Sequence, residues 1–210
     1  MSDDIRRSRR ELLTSWFGAF RDASRAVGRA HAPDPEKVLR PPGALTPDQA
    51  FLDACTRCGD CIPVCPVKAI VTIEEEDGRK LPVIDPSVKP CRLCDDLPCI
   101  SACPDGALVA PPEGPARVRM GIAKVDPRRC ITFKGELCTA CYKACPYPDK
   151  AIMMIGSRPL VGSSACTGCG LCEFACPEYP KAITVVPERD LVPGLRVPRT
   201  EYTGSDRWSG

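Results

Sequence analysis

The chain is short of the residues that usually build an interior or bind a metal through nitrogen. Aromatic side chains number eleven in 210 residues, 2 Trp, 4 Tyr and 5 Phe, so large rings supply little of the core. The single histidine, His31, excludes a two-histidine Rieske centre or a bis-histidine haem formed within the chain, and its polar, Pro-rich surroundings read as those of a solvated residue. No C-x-x-C is followed by His, which removes covalent c-type haem. No run approaches the roughly 18 apolar residues that a membrane span needs. Charge of one sign is missing too. The 29 basic and 27 acidic residues leave +2 with no long basic block, which gives little footprint for nucleic acid.

Proline and cysteine are what the chain has instead, 24 and 16 residues. Neither type makes long helices or supplies large apolar side chains, so something other than side chains is expected to fill the interior. Proline plus glycine, 40 of 210 residues, stays below the roughly 25–30% typical of low-complexity disorder. The chain is therefore expected to fold.

The cysteines form four groups of four. Cys55, Cys58, Cys61 and Cys65, followed by Pro66, read C-x2-C-x2-C-x3-C-P, as do Cys166, Cys169, Cys172 and Cys176, followed by Pro177. The second group is Cys91, Cys94, Cys99 and Cys103; the third is Cys130, Cys138, Cys141 and Cys145, with a seven-residue first gap. Three cysteines in a tight loop can hold three corners of a cubane, while the fourth, on a short helix, points to a neighbouring cluster. Gly59, Gly168 and Gly170 suit a backbone that wraps closely around inorganic sulfide. Disulfide scaffolds seldom repeat one dense spacing four times, and zinc sites separate their C-x2-C pairs by a longer loop. Four 4Fe-4S clusters, with all sixteen cysteines as iron ligands, is the natural count.

Each group is followed by a similar phrase: Val67-Lys68-Ala69-Ile70, Asp105-Gly106-Ala107-Leu108, Lys150-Ala151-Ile152 and Lys181-Ala182-Ile183, an internal repeat. Strands are expected at Ile70 to Glu74, Leu108 to Ala110, Ile152 to Ile155 and Ile183 to Val186, with return strands at Leu81 to Ile84 and Met120 to Val125. A loop of ligands, a helical turn and a short hairpin is the plan of a bacterial two-cluster ferredoxin, present twice. The expected fold is α+β, small and loop-rich.

Groups one and four resemble bacterial ferredoxin motifs, and Cys91 to Pro104 resembles the second motif of four-cluster electron-transfer subunits of molybdenum oxidoreductases. Arg40 to Ala44, Arg119-Met120-Gly121 and the long-gapped third motif with Cys141-Tyr142 resemble the NapG/MauM-type ferredoxins over about residues 40 to 186. The analogy to four-cluster subunits implies nested pairing. Residues 51–85 with 160–186 would form one unit and 86–159 an inserted one. The clusters would then be Cys55, Cys58, Cys61, Cys176; Cys166, Cys169, Cys172, Cys65; Cys91, Cys94, Cys99, Cys145; and Cys130, Cys138, Cys141, Cys103. The links themselves, 25 residues after Cys65 and 20 after Cys145, suit sequential pairing equally well.

Residues 1–50 read as an amphipathic helix and a Pro-rich linker, and 187–210 as an extended tail. Ser8 to Leu13 resembles a twin-arginine export signal and Ala30-His31-Ala32 a cleavage site. The apolar stretch between them is interrupted at Thr14, Ser15 and Gly18, whereas a signal needs roughly 7–15 apolar residues. Leu12, Leu13, Trp16, Phe17, Phe20, Ala23, Val27 and Ala30 instead recur at helical spacing, expected to dock on a partner, on a membrane surface or on the protein's own body. The protein is expected in the cytoplasm, periplasmic export being the alternative.

Each oxidised cubane with four thiolates carries about −2, which takes the formal charge of +2 to roughly −6. Lys68, Lys143 and Lys181 are candidates to raise a cluster's potential or guide a partner. With every cysteine used, no open iron or spare thiol remains for substrate chemistry. The family resemblance implies an electron-transfer protein or subunit between a quinol or dehydrogenase donor and a terminal oxidoreductase, without catalysis of its own. The alternatives are a maturation factor for a partner metalloenzyme and a small enzyme whose signature would be a cluster with three protein ligands.

Overall fold

A computed structural model describes residues 33–201. The expected N-terminal helix, the export-like segment, His31 and the last nine residues lie outside the described residues. From Asp34 on, the described residues form one compact unit.

Three two-stranded antiparallel sheets carry the architecture. Strand β1 (Ile70–Glu74) turns back into β2 (Lys80–Ile84) with Ile70 opposite Ile84. Gly78 supplies the positive φ of +80° at the turn, which a residue without Cβ adopts at little cost, and Asp77 Oδ1 accepts the Arg79 amide at 2.9 Å. The second hairpin joins β4 (Ile152–Ile155) to β5 (Arg158–Val161), with Ile152 opposite Val161. Strand β3 (Gly121–Val125) pairs with β6 (Ile183–Pro187), Val125 lying opposite Ile183. In the first half the corresponding pairing shrinks to single bridges, Ala44 to Leu108 and Leu39 to Ile84.

Four short helices complete the frame: α1 (Asp48–Ala54), α2 (Pro98–Ser101), α3 (Ala140–Ala144) and α4 (Leu171–Ala175). None reaches the length at which an isolated helix is stable; each is held by what it packs against. Helix α1 buries Phe51, and Arg40 grips Asp48 through Nε at 2.7 Å and Nη2 at 2.9 Å while lying 5.4 Å from the Phe51 ring centre. Burial pushes Asp48 up, but the hydrogen bonds and charge of Arg40 outweigh it and hold the carboxyl below its ordinary value. No helix among the described residues is long and apolar enough to cross a membrane.

The hydrophobic core falls into two clusters, one around Leu39, Phe51, Val83 and Ile84 and one around Ile152, Ile183 and Leu191. Cysteines are part of both.

Several expectations are corrected. The stretch 33–50 is not a free linker: Val38 and Leu39 are buried, because the Leu39 amide and carbonyl pair with Ile84. Residues 187–201 are not an extended tail. Leu191 is buried, and the Arg189 guanidinium donates to the carbonyls of Val38, Pro35 and Glu36. Leu108 makes one bridge rather than a strand, and β3 pairs with β6 instead of returning from Leu108. Strand β5 had no counterpart in the expectations.

Candidate functional site

The ligand loops are set by backbone conformations that few residues adopt. Arg57 and Leu93, each two residues after the first cysteine of its group, have φ of +62° and +50°; Gly168 occupies the same place in the fourth group at +76°. A left-handed residue there folds the loop back so that successive thiols point to one side. Gly168 and Gly170 answer a second demand. A Cβ on Gly168 would collide with the Gly121 backbone, and one on Gly170 with Pro86.

The sixteen cysteines line four cavities, four to each. The first is walled by Cys55, Cys58, Cys61 and Cys103. The second holds Cys65, Cys91, Cys94 and Cys99. Cys130, Cys138, Cys141 and Cys176 line the third, and Cys145, Cys166, Cys169 and Cys172 the fourth. Their empty volumes are nearly equal, about 340, 340, 370 and 310 Å³ in that order. In each, three thiols come from one loop and the fourth crosses over from the short helical turn that ends the neighbouring group.

This arrangement overturns the nested pairing. Cys103 faces Cys55, not Cys130; Cys65 joins Cys91, Cys94 and Cys99; Cys145 joins Cys166, Cys169 and Cys172; Cys176 joins Cys130, Cys138 and Cys141. The units are consecutive, groups one with two and three with four, not 51–85 with 160–186 around 86–159. The cause is the hairpins. Strands β1 and β2 return the chain from Cys65 to its own side before Cys91, and β4 with β5 does the same between Cys145 and Cys166.

The thiols are held where a thiolate alone would be costly. Burial, reinforced by the neighbouring cysteines, pushes Cys61 up to about 12, and burial lifts Cys91 to about 12 and Cys99, Cys141 and Cys169 to about 11. Cys172 is raised further by the same cause. All sixteen are free of disulfides. Backbone amides approach the sulfurs: Ala69 N–H to Cys65 Sγ at 3.3 Å, Leu93 to Cys91 and Ala123 to Cys166 at 3.4 Å each. A group that fits must bring its own positive charge and span four sulfurs at once. Among the described residues no three His, Cys, Asp or Glu side chains converge as a single metal ion requires. The all-thiol donor sets therefore fit an iron-sulfur cluster better than a lone zinc.

Three cations close on the ligand backbone. Arg57 Nη1 donates to the Cys55 carbonyl at 2.6 Å, Lys181 Nζ to the Cys176 carbonyl at 2.6 Å, and Arg196 Nη1 to the Cys166 carbonyl at 2.9 Å. Only Lys181 was among the sequence candidates. Lys68 and Lys143 are exposed. Arg57 was legible from its place between two cysteines, but nothing in the sequence marks Arg196, twenty residues beyond the last one.

The two halves join at the second and fourth cavities, where the Cys91 amide donates to the Cys169 carbonyl at 2.9 Å. Tyr147 packs against both core clusters. At the far ends Cys58 is exposed in the first cavity, and Cys130, Cys138 and Cys141 are partly exposed in the third.

Comparison with known proteins follows the same division. Two models of a 4Fe-4S dicluster domain match, at residues 54–107 and 122–177. The chain is 39% identical over 176 residues to the methylamine utilization ferredoxin-type protein MauM of Paracoccus denitrificans, covering 72% of this chain and 78% of that protein. It is also 39% identical over 146 residues to the ferredoxin-type protein NapG of Escherichia coli, covering 63% of each. A shorter likeness, 39% over 57 residues, 27% of this chain and 23% of the other, reaches the thiosulfate reductase electron transfer subunit PhsB of Salmonella typhi.

Proposed function

The chain belongs to the family of the MauM and NapG ferredoxin-type proteins and carries two 4Fe-4S dicluster domains, and from that premise we propose that it relays single electrons through four clusters, one in each cavity. The observation that carries this reading is the set of four similar cavities, each walled by four thiols. Bound there, a 4Fe-4S cluster accepts and releases one electron at a time.

One order of the path is supported by the residues that join the cavities. Cys61 and Cys65 bracket one helical turn between the first and second cavities, and α2 links them again from Cys99 to Cys103. Helices α3 and α4 do the same between the third and fourth. The Cys91–Cys169 hydrogen bond bridges the halves, so the cavities follow one another as first, second, fourth, third. Five of the eight cysteines of the inner two are buried, against two of the eight in the outer two.

The partners are a quinol or dehydrogenase at one end and a terminal oxidoreductase at the other, with no substrate transformed on this chain. The same reading keeps the segment expected as an N-terminal helix on a mature cytoplasmic chain, to dock on a partner or a membrane surface; an intact mass beginning after Ala32 overturns that part. Anaerobic purification should give about sixteen iron and sixteen sulfide per chain, with stoichiometric co-purification of an oxidoreductase. Zinc at stoichiometry, or iron near four, overturns the reading. A chain that binds only immature partner enzyme would favour a maturation factor instead.

A further inference from the structure

Opposite charge surrounds the two halves. Over residues 54–107 there are six basic and nine acidic side chains; over 122–177 there are seven basic and four acidic. The halves therefore stand at −3 and +3 before anything is bound.

The contacts closest to the ligands repeat the difference. In the first cavity Arg57 touches the Cys55 carbonyl, but Glu75 takes its Nε at 2.7 Å and its Nη2 at 3.2 Å and offsets the charge through both contacts, and Asp105 lines the same wall. Around the second, Asp95 and Asp96 follow Cys94 directly, and Arg92 on the cavity wall opposes them, with Lys68 and Lys89 close to Cys65 and Cys91 in sequence. In the third, Lys181 sits on the carbonyls of Cys176 and Phe174 at 2.6 and 3.2 Å, with no carboxylate in ion-pair contact among the described residues; Glu178 on the cavity wall offsets it in part.

In the fourth, Arg196 reaches the Cys166 carbonyl with a side chain only 14% exposed. Glu188 accepts from its Nη2 at 3.1 Å and offsets its charge in part, through one contact, and the Nε of Arg196 is buried without a partner. Beside it Arg119 is held by the carbonyls of Ala116, Val118 and Ser164, again with no carboxylate partner among the described residues. Glu173, which follows Cys172, spends Oε2 on the Val185 amide at 2.7 Å.

An added electron deepens the negative charge of a thiolate-bound cluster, so nearby cations favour the reduced state and nearby carboxylates oppose it. We propose that electrons pass one way through this chain, from the acidic half to the basic half, entering beside Cys58 and leaving beside Cys138, with Lys181 and Arg196 setting the higher potential of the exit half. The donor then meets an acidic face and the acceptor a basic one. At the exit, Leu137 and Tyr179 stand 89% and 96% exposed next to that cavity's ligands. The inference rests on the reading that all four cavities hold clusters.

The test is a redox titration of the full-length holoprotein under argon, with dithionite supplying one electron to each cluster and electron paramagnetic resonance following the signals. Four one-electron waves are expected, in a lower and a higher pair. Lys181→Gln and Arg196→Gln should each move a wave of the higher pair to more negative potential, while Lys181→Arg and Arg196→Lys leave it near its place. Asp95→Asn with Asp96→Asn should move a wave of the lower pair upward. If Lys181→Gln shifts the lower pair or nothing, or the aspartate variant shifts the higher pair, the direction is overturned. Iron analysis of the same samples separates the two readings: sixteen iron with the wrong order sinks only the direction, whereas a chain without iron sinks the function beneath it. Should Arg196→Gln lose iron, Lys181→Gln alone decides.

Discussion

The amide of Cys91 donates a 2.9 Å hydrogen bond to the carbonyl of Cys169, and this contact carries the first half of the molecule into the second. Both residues line cavities, the second and the fourth. The junction between halves thus also ties two candidate cluster sites together through backbone.

Consecutive pairing makes a prediction about double variants. Cys55→Ala and Cys103→Ala share one cavity, so together they should cost the iron of one cluster, about four of sixteen, no more than either alone. Cys103→Ala combined with Cys166→Ala should cost two clusters. Iron and sulfide analysis of anaerobic preparations decides it, since nesting would have put Cys55 and Cys103 on different clusters.

Gly168→Ala should loosen the junction. Its φ of +76° and the Gly121 backbone against it add left-handed strain of about 1–3 kcal/mol to overpacking of about 1–3 kcal/mol. Gly78→Ala has a similar φ but open space around it, so it should cost only the strain. Denaturation under argon measures the gap, and equal losses at the two positions would contradict this account of Gly168.

Leu39→Ala should destabilise the first half by about 2–5 kcal/mol, the usual cost of emptying a buried leucine site, because Leu39 has no exposed surface. Leu191→Ala should act similarly on the second half. A neutral result at Leu39 would restore the linker reading of residues 33–50.

Removing the metal should unfold the protein. Seven cysteines are among its buried core residues, Cys61, Cys91, Cys99, Cys166, Cys169, Cys172 and Cys176, and metal binding in such sites is itself folding free energy. Chelation after oxidation should abolish cooperative melting by circular dichroism, and iron with sulfide under reducing conditions should restore it. An apo-protein that keeps a native spectrum would show that side chains alone suffice.

The sequence made the donor sets and the local elements legible because both are local. The spacing within each group forces three thiols onto one loop, and the β-branched runs at Ile70 and Ile152 became β1 and β4 at the expected bounds. Pairing was not legible, since links of 25 and 20 residues allow either partner and only the hairpin registers choose. Strand β5 was hidden by its Arg158-Pro159 opening. The docking of residues 33–50 and 187–201 rests on single buried side chains, Leu39 and Leu191, and on arginines that bind backbone carbonyls. Such a contact leaves no pattern, because any residue supplies the acceptor.

Because Cys103 closes the cavity opened by Cys55, the first two cavities take all their thiols from residues 55–103. A ribosome making this chain has translated all eight thiols of the first two cavities before the first thiol of the other two, Cys130. Iron delivery can then proceed in two rounds, although the first core is finished only when Cys169 and Val185 pack into it. The clasp of Arg189 on Val38, Pro35 and Glu36 can close only after all sixteen cysteines have been made.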